Sequence, residues 1–217
     1  MCDVHVLLVL LLITSQVAFA KPVFNIQNWL TKNGARVLFS EAHELPMVDI
    51  LVIFDAGSAR DGNNFGLATF TSSMLDSGTK TLTADQVADK FEQIGAQFGA
   101  STGYDITSIS LRSLTESKIL DDALQTFIAV LTVPAFSQHE FDRVQKQILV
   151  GIQAQKQYPA SIAAEKFSKQ LYGDFPYSHP NSGTEAAIVA LKPADLIKFH
   201  QTYYAAKNAI VINVNLT

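Results

Sequence analysis

Cysteine is almost absent from this chain, which has one, at position 2, in 217 residues. A single thiol allows neither an internal disulfide nor a metal site built from several cysteines. Charge is also sparse, because only 17% of the residues are charged and the formal net charge is -4. Such a chain has no basic field of the kind that nucleic-acid phosphates require. We therefore expect neither a disulfide scaffold nor a nucleic-acid partner.

Apolar residues are abundant, at 48% of the chain, which is enough for a substantial core. One apolar run, residues 6–13, is followed by Ala18-Phe19-Ala20, a cleavage-like pattern. We predict that residues 1–20 are a secretory signal, although no Lys or Arg precedes the run. A membrane anchor is the alternative, but the run is shorter than the roughly 20 residues that a spanning helix needs. Export without disulfides favours a bacterial periplasm, with no membrane span left after cleavage.

Strand-like patterns occur at both ends of the mature chain. Residues 36–40 follow a turn at Asn33-Gly34, and residues 47–54 are mostly apolar, so we expect these two strands to pair. Residues 100–114 alternate and are interpreted as a strand, and "NAIVINV" is predicted to be the last strand.

Helical patterns fill the middle of the chain. Thr83 is a predicted N-cap, and Ser137 with Glu140 has the spacing of a capping box. Further helices are expected in "SKILDDALQTFIAVL", "SIAAEKFSKQLYG", from Glu185, and in "KPADLIKFHQTYY". The order of elements predicts one α+β domain over residues 21–217, with helices packed on a mostly antiparallel sheet.

The stretch "GLATFTSSMLDSGT" predicts a helix with an unusual polar stripe. Thr69, Ser72, Ser73 and Asp76 recur at positions i, i+3, i+4 and i+7 and would share one face. Two histidines and a glutamate at such offsets would form a zinc peptidase site. Here these offsets carry hydroxyls.

Five segments, in this order, carry a family resemblance: "NGARVLF", "LPMVDILVIFDAGSARD", the polar stretch above, "YSHPNSGTEAAIVALKPADLIKFHQTYY" and "KNAIVINV". Together they resemble the pitrilysin or insulinase-like zinc peptidases, which include mitochondrial processing peptidase. The resemblance implies half of a clam-like subunit with two similar halves. We expect either a piece of a longer protein or a naturally shortened product.

In active members of that family an inverted motif, His-x-x-Glu-His, binds zinc. The resemblance aligns the two histidines with Thr69 and Ser73 and the glutamate with Ser72. It aligns the third ligand with Gly151, within about one residue, and a supporting glutamate with Val144. Neutral hydroxyls and a glycine are poor zinc ligands, and Ser72 cannot act as the general base near neutral pH. We therefore predict no catalytic residue, no metal ligand and no cofactor.

The four histidines of the mature chain offer no replacement site, since no two lie at helical ligand spacing. They are His43, His139, His179 and His200, and we interpret them as surface or loop residues. His179, between two prolines, is expected to bond a nearby carbonyl. Asp76 is interpreted as a solvated acid facing the cleft.

Two features leave alternatives open. The hydroxyl stripe either fills space, bonding back to helix carbonyls or water, or lines a cleft that admits peptide without cutting it. In the family an edge strand receives an extended peptide by strand addition, and Ala100, Ser101 and Thr102 are the candidates here. An ordinary polar strand is the other interpretation.

The resemblance implies a non-catalytic partner of an active zinc peptidase, exported to the same compartment. Some relatives are heterodimers in which only one subunit has the motif. The predicted partners are thus a motif-bearing homologue and peptide substrates. The alternatives are a structural subunit of a larger complex and an active metallopeptidase with unconventional ligands.

Overall fold

The protein is described by a computed structural model that covers residues 25–42 and 45–216. The predicted signal, with Cys2, lies outside the described residues, as does His43. Among the described residues, no helix combines the length and apolar character needed to cross a membrane.

The described strands form one six-stranded sheet in the order β1-β2-β6-β3-β5-β4. Their bounds are β1 Ile26–Leu30, β2 Arg36–Ala42, β3 Met47–Phe54, β4 Gln97–Thr102, β5 Thr107–Leu114 and β6 Ala209–Leu216. Only β2 and β6 pair in parallel, and the other neighbours are antiparallel. The predicted α+β class with a mostly antiparallel sheet is confirmed.

The expected pairing of the first two predicted strands is wrong, because β6 lies between β2 and β3. Val211 pairs with Val37 of β2 on one side and with Val52 of β3 on the other. The consecutive apolar residues Ile210, Val211 and Ile212 place apolar side chains on both faces of the sheet, although Ile210 is exposed.

The expected single strand at residues 100–114 is also wrong, because it is a hairpin of β4 and β5. Gly103 N–H donates to the carbonyl of Ile106 at 2.8 Å and closes the turn. The turn is held from outside, since the carbonyls of Tyr104 and Asp105 accept from backbone N–H groups of residues 59 and 57 at 2.8 and 3.0 Å. Alternation of polar and apolar residues continues through such a turn, so it did not reveal the reversal.

Seven α-helices are present in the described part of the chain. They are α1 Leu67–Ser73, α2 Ala84–Gln93, α3 Ser117–Thr132, α4 Gln138–Gln155, α5 Pro159–Tyr172, α6 Glu185–Ala190 and α7 Pro193–Tyr203. Short 3₁₀ turns occur at Ser58–Arg60, Pro176–Ser178 and Ala206–Asn208.

The side chains at the two predicted helix starts, Thr83 and Ser137, both accept a hydrogen bond from a backbone N–H of the helix that follows. At α2, Thr83 Oγ1 accepts from Gln86 N–H at 3.2 Å and Gln86 Oε1 accepts from Thr83 N–H at 2.9 Å, a complete capping box. At α4, Ser137 Oγ accepts from Glu140 N–H at 3.4 Å, but the Glu140 carboxylate binds Arg143 at 2.6 Å. The capping box predicted there is therefore only half formed in the described structure.

The core lies where helices cover the sheet. β5 buries every second residue, Thr107, Ile109, Leu111 and Ser113, and leaves Ser110 and Arg112 exposed. The largest fully buried side chains come from strand β5, from five helices and from the two residues after α1, and they are Phe70, Met74, Leu75, Val87, Ile109, Leu111, Val130, Ile188 and Leu196. The first helix, α1, is thus anchored in the core, which fixes the positions of its polar residues.

Candidate functional site

A buried carboxylate fixes the start of α1. The oxygens of Asp61 accept hydrogen bonds from Gly66 N–H at 2.7 Å and Ala68 N–H at 2.8 Å. Asp61 is only 4% exposed, and this burial raises its pKa to about 7 although both backbone hydrogen bonds act to lower it. Gly66 has φ +96°, a left-handed conformation that glycine adopts without a Cβ clash.

Thr69, at the position aligned with the first motif histidine, is bonded to a distant loop. Its Oγ1 donates to the carbonyl oxygen of Asn181 at 2.7 Å. The side chain of Asn181 accepts a second bond, from Ser58 Oγ at 2.6 Å. Thr69 and Ser58 therefore hold the loop after the Pro176–Ser178 turn against α1.

Ser72, at the position aligned with the motif glutamate, is buried with 4% exposure. Its Oγ donates to the carbonyl of Thr69 at 2.9 Å and lies 2.7 Å from Oγ1 of Thr102 on β4. Thr102 Oγ1 lies 3.1 Å from Thr107 Oγ1, which donates to the carbonyl of Ala56 at 2.8 Å. These residues, Ser72, Thr102 and Thr107, form what we call the hydroxyl chain, which joins α1 to the edge of the sheet.

The predicted polar stripe is broken beyond Ser73, because α1 ends there. The N–H of Met74 bonds the carbonyls of Thr71 and Ser72, a tight final turn, and Asp76 lies after the helix. Ser73 and Asp76 are exposed and line a cavity of about 430 Å³ together with Arg143 of α4. Partial desolvation raises the pKa of Asp76, and the positive charge of Arg143 opposes this shift.

The two positions aligned with glutamates on α4 lie in different surroundings. Val144 is 4% exposed and belongs to the core, and it also lines the cavity beside Ser73. Gly151 is exposed, and a Cβ added to it would meet no atom within 4 Å. Of its neighbours, Val150 is exposed and Ile152 is buried.

These residues do not fit the zinc ion that the family resemblance implies. The hydroxyls of Thr69 and Ser72 are engaged within the protein, Ser73 shares its cavity with the cation Arg143, and Gly151 has no donor atom. In the described residues, no group of three or more His, Cys, Asp or Glu side chains lies close enough to hold a metal. The arrangement offers neither ligands nor a general base at this helix.

The described histidines have separate roles. His139 is exposed beside Glu140, and His179 is buried, stacked on Phe65 at 4.2 Å, with its Nδ1 3.2 Å from the carbonyl of Pro180, as expected. His200 was expected at the surface or in a loop, but it is buried in α7 and its Nε2 lies 2.8 Å from the carbonyl of Leu131. Its burial lowers its pKa.

The candidate peptide-binding residues lie on an edge of the sheet. Within the described residues β4 pairs only with β5, so one side of its backbone is not used by the sheet. Ala100 and Ser101 are exposed, whereas Thr102 is partly buried by its contact with Ser72. The fold therefore brings Thr102 and Ser72, two residues singled out from the sequence, into direct contact.

Two further residues were not identified from the sequence. Asp61 lies five and seven residues before the N–H groups it binds, whereas an ordinary N-cap side chain binds an N–H two or three residues later, so capping rules did not point to it. Asn181 is 112 residues from Thr69, a separation over which no local pattern is informative. Asn181 lies within "HPNSGT", a stretch that belongs to the family resemblance, and this was the one sequence feature that could have drawn attention to it.

Fold and site together define a class: an α+β unit in which α1, the helix that the resemblance aligns with a zinc motif, carries hydroxyls that are bonded within the protein. Over residues 36–185, more than half of its length, the chain matches the family described as Insulinase (Peptidase family M16). The chain belongs to this family, and the predicted family membership is confirmed.

Individual relatives differ in how they are described. The chain is 31% identical to an uncharacterized zinc protease of Rickettsia bellii over 87% of this chain and 45% of the relative. It is 28% identical to the non-peptidase homolog YmxG of Helicobacter pylori, over 83% of this chain and 42% of the relative. The chain thus spans less than half the length of these relatives.

Among solved structures, the peptidase M16 inactive domain from Pseudomonas fluorescens superposes with a TM-score of 0.86 at 40% identity. That match covers 88% of this chain and 46% of the other. The periplasmic protease PqqL from Escherichia coli shares the fold, with a TM-score of 0.80 at 22% identity over 90% of this chain and 22% of the other.

Proposed function

We propose that this chain is a non-catalytic member of the insulinase family that holds extended peptides without cutting them. The observation that carries the proposal is the hydroxyl chain: Ser72, where the motif glutamate would stand, is bonded to the edge strand through Thr102. A side chain used in this way positions β4 and supplies no base. The descriptions of the similar Helicobacter and Pseudomonas proteins as non-peptidase and inactive support the proposal.

The peptide would add to β4 alongside Ala100, Ser101 and Thr102 as a further strand. Strand addition draws its affinity from backbone hydrogen bonds, so it tolerates many peptide sequences. The exposed side chains of Ala100 and Ser101 are small and would not obstruct an approaching backbone.

The partner would be a homologous subunit with an intact zinc motif, in the compartment to which both are exported. The periplasmic location of the structurally similar PqqL and the apolar run at residues 6–13 support an exported, periplasmic site of action. In such a pair this chain would help to form the peptide chamber, and the motif-bearing subunit would supply zinc and hydrolysis.

Peptide binding is tested with ligands that differ only in their backbone. We expect a fluorescent extended peptide to bind, and N-methylation of every second residue to abolish binding in one register and spare it in the other. Only one set of N–H groups faces β4 in an added strand, which is why the two registers differ. Equal binding of both methylated peptides would contradict strand addition.

Loss of catalysis is tested by zinc content after incubation with zinc and desalting, together with cleavage of a fluorogenic peptide. We expect far less than one zinc per chain and no cleavage that a chelator abolishes, with a motif-bearing homologue as the positive control. Stoichiometric zinc with chelator-sensitive cleavage would overturn the proposal. Coelution with that homologue in size-exclusion chromatography tests the partnership, and a purely structural subunit would coelute without binding peptide.

A further inference from the structure

Strand β1 lies at the edge of the sheet opposite to β4 and leaves one side of its backbone unused by the sheet. In the strand order β1-β2-β6-β3-β5-β4, β1 has β2 as its single neighbour within the described residues. All five residues of Ile26–Leu30 are exposed. The whole length of this strand is therefore accessible to another strand.

The composition of β1 differs from that of a protected edge. Natural edge strands avoid pairing with other chains through charged residues, proline or a bulge. The sequence of β1, "IQNWL", has no charged residue and no proline, and its register with β2 runs from Ile26↔Ser40 to Leu30↔Arg36 without a bulge. Ile26 is 61% exposed and Leu30 is 69% exposed, so two large apolar side chains remain in water at this edge. These features favour an edge that another strand covers.

The turn that follows β1 shows which of its backbone groups face outward. Thr31 N–H donates to the carbonyl of Ala35 at 2.9 Å, so the backbone of residue 31 faces β2. Backbone groups alternate in direction along a strand, so those of the residues two and four positions earlier also face β2. The residues whose N–H and C=O groups face outward are Ile26, Asn28 and Leu30.

These outward groups fit a second copy of the same strand. In an antiparallel pair centred on Asn28, Asn28 faces its own copy and Ile26 faces Leu30 of the other chain. Each of these pairs exchanges two backbone hydrogen bonds, up to about six in all, and apolar side chains lie opposite apolar side chains on one face. A register centred on Gln27 or Trp29 forms fewer hydrogen bonds and sets an apolar side chain against Asn28. The strand is thus self-complementary in one register, as a twofold interface requires.

We propose that β1 is a dimerisation strand, which pairs antiparallel with β1 of a second copy of this chain around a twofold axis at Asn28. The two six-stranded sheets then continue as one sheet across the dimer. Because β1 and β4 are opposite edges, each copy keeps β4 free for peptide addition. The inference therefore does not rest on the proposed function.

Cysteine crosslinking of the full chain tests the register. The variants carry C2S, because Cys2 is the one native thiol. In N28C the two Cα atoms would lie about 5.5 Å apart, within disulfide range, so we expect a covalent dimer after mild oxidation. In the matched control Q27C they would lie about 8 Å apart, beyond that range, so we expect little covalent dimer. Equal crosslinking of the two variants, or none in either, would overturn the proposal.

Charge substitutions test the side-chain pairs, with sedimentation equilibrium over a concentration series as the measurement. We expect the unaltered chain to approach twice its single-chain mass as its concentration rises. I26K/L30K sets lysine against lysine twice in the dimer and should weaken dimerisation by about tenfold or more. I26K/L30E alters the same two positions but sets lysine against glutamate, so it should dimerise more tightly than I26K/L30K, and added salt should reduce this difference.

Loss of the dimer is separated from loss of the fold by circular dichroism. Both double variants replace exposed side chains, so we expect each to keep the spectrum of the unaltered chain. A single-chain mass for the unaltered protein at every concentration would overturn the proposal. A dimer that I26K/L30K leaves unchanged would also overturn it, because the interface would then lie on another surface.

Discussion

The hydroxyl chain gives a quantitative prediction, because its protons can be counted. Ser72 donates to the carbonyl of Thr69 and Thr107 donates to that of Ala56, so the protons of both hydroxyls are used. Thr102 has one proton for two neighbours, Ser72 at 2.7 Å and Thr107 at 3.1 Å. The shorter distance indicates that Thr102 donates to Ser72, because O–H···O bonds are most often 2.7 to 2.8 Å long.

Double-mutant cycles measured by urea unfolding test this assignment. We expect Thr102→Val to lower the free energy of unfolding by about 1 kcal/mol, the net value of one hydrogen bond, and Ser72→Ala, which removes two hydrogen bonds, to lower it by about 2 kcal/mol. The double variant should lose about 1 kcal/mol less than the sum of the two, because both substitutions remove the same bond.

The cycle between Thr102→Val and Thr107→Val should show a coupling close to zero. As a control, Ser72→Ala combined with Thr202→Val, an exposed helix hydroxyl bonded to the carbonyl of Lys198, should be additive within about 0.5 kcal/mol. If the larger coupling instead joins Thr102 and Thr107, Ser72 is not held by the edge strand and the structural role assigned to it is wrong.

Two further predictions concern stability. Gly183 has φ +78°, and a Cβ added there would meet the carbonyl of Phe65, so Gly183→Ala should lower the free energy of unfolding by about 3 kcal/mol. Gly151 lies within a helix and faces open space, so Gly151→Ala should raise the free energy of unfolding by up to about 1 kcal/mol. Urea unfolding of both variants checks this, and similar effects at the two sites would refute the loop contact. Burial raises the pKa of Asp61 to about 7, so the folded protein binds this proton more tightly than the unfolded chain does. The free energy of unfolding should therefore fall by up to about 4 kcal/mol as the pH rises from about 4 to 7 and Asp61 ionises. Unfolding measured across this range should show that fall relative to Asp61→Asn, and parallel curves for the two proteins would refute the burial argument.

Local patterns in the sequence were informative wherever a structural feature is set by residues only a few positions apart. Thr83 caps α2 as predicted, and α3 ends before Pro134, which has no N–H to continue a helix. Where the pattern had to specify a partner, it failed, as with the strand at residues 100–114 that is a hairpin. Alternation of polar and apolar residues indicates which face of the sheet each side chain occupies, but it does not indicate where the chain reverses direction.

The sequence by itself determined the α+β class through the order of its local patterns. It also indicated the family, and the alignment of Thr69, Ser72 and Ser73 with the zinc motif, through the resemblance of its five segments. Only the tertiary structure decided that β6 separates β2 from β3 and that Asn181 binds Thr69. These arrangements depend on contacts between segments a hundred or more residues apart, whose energies are fixed by packing of the whole core.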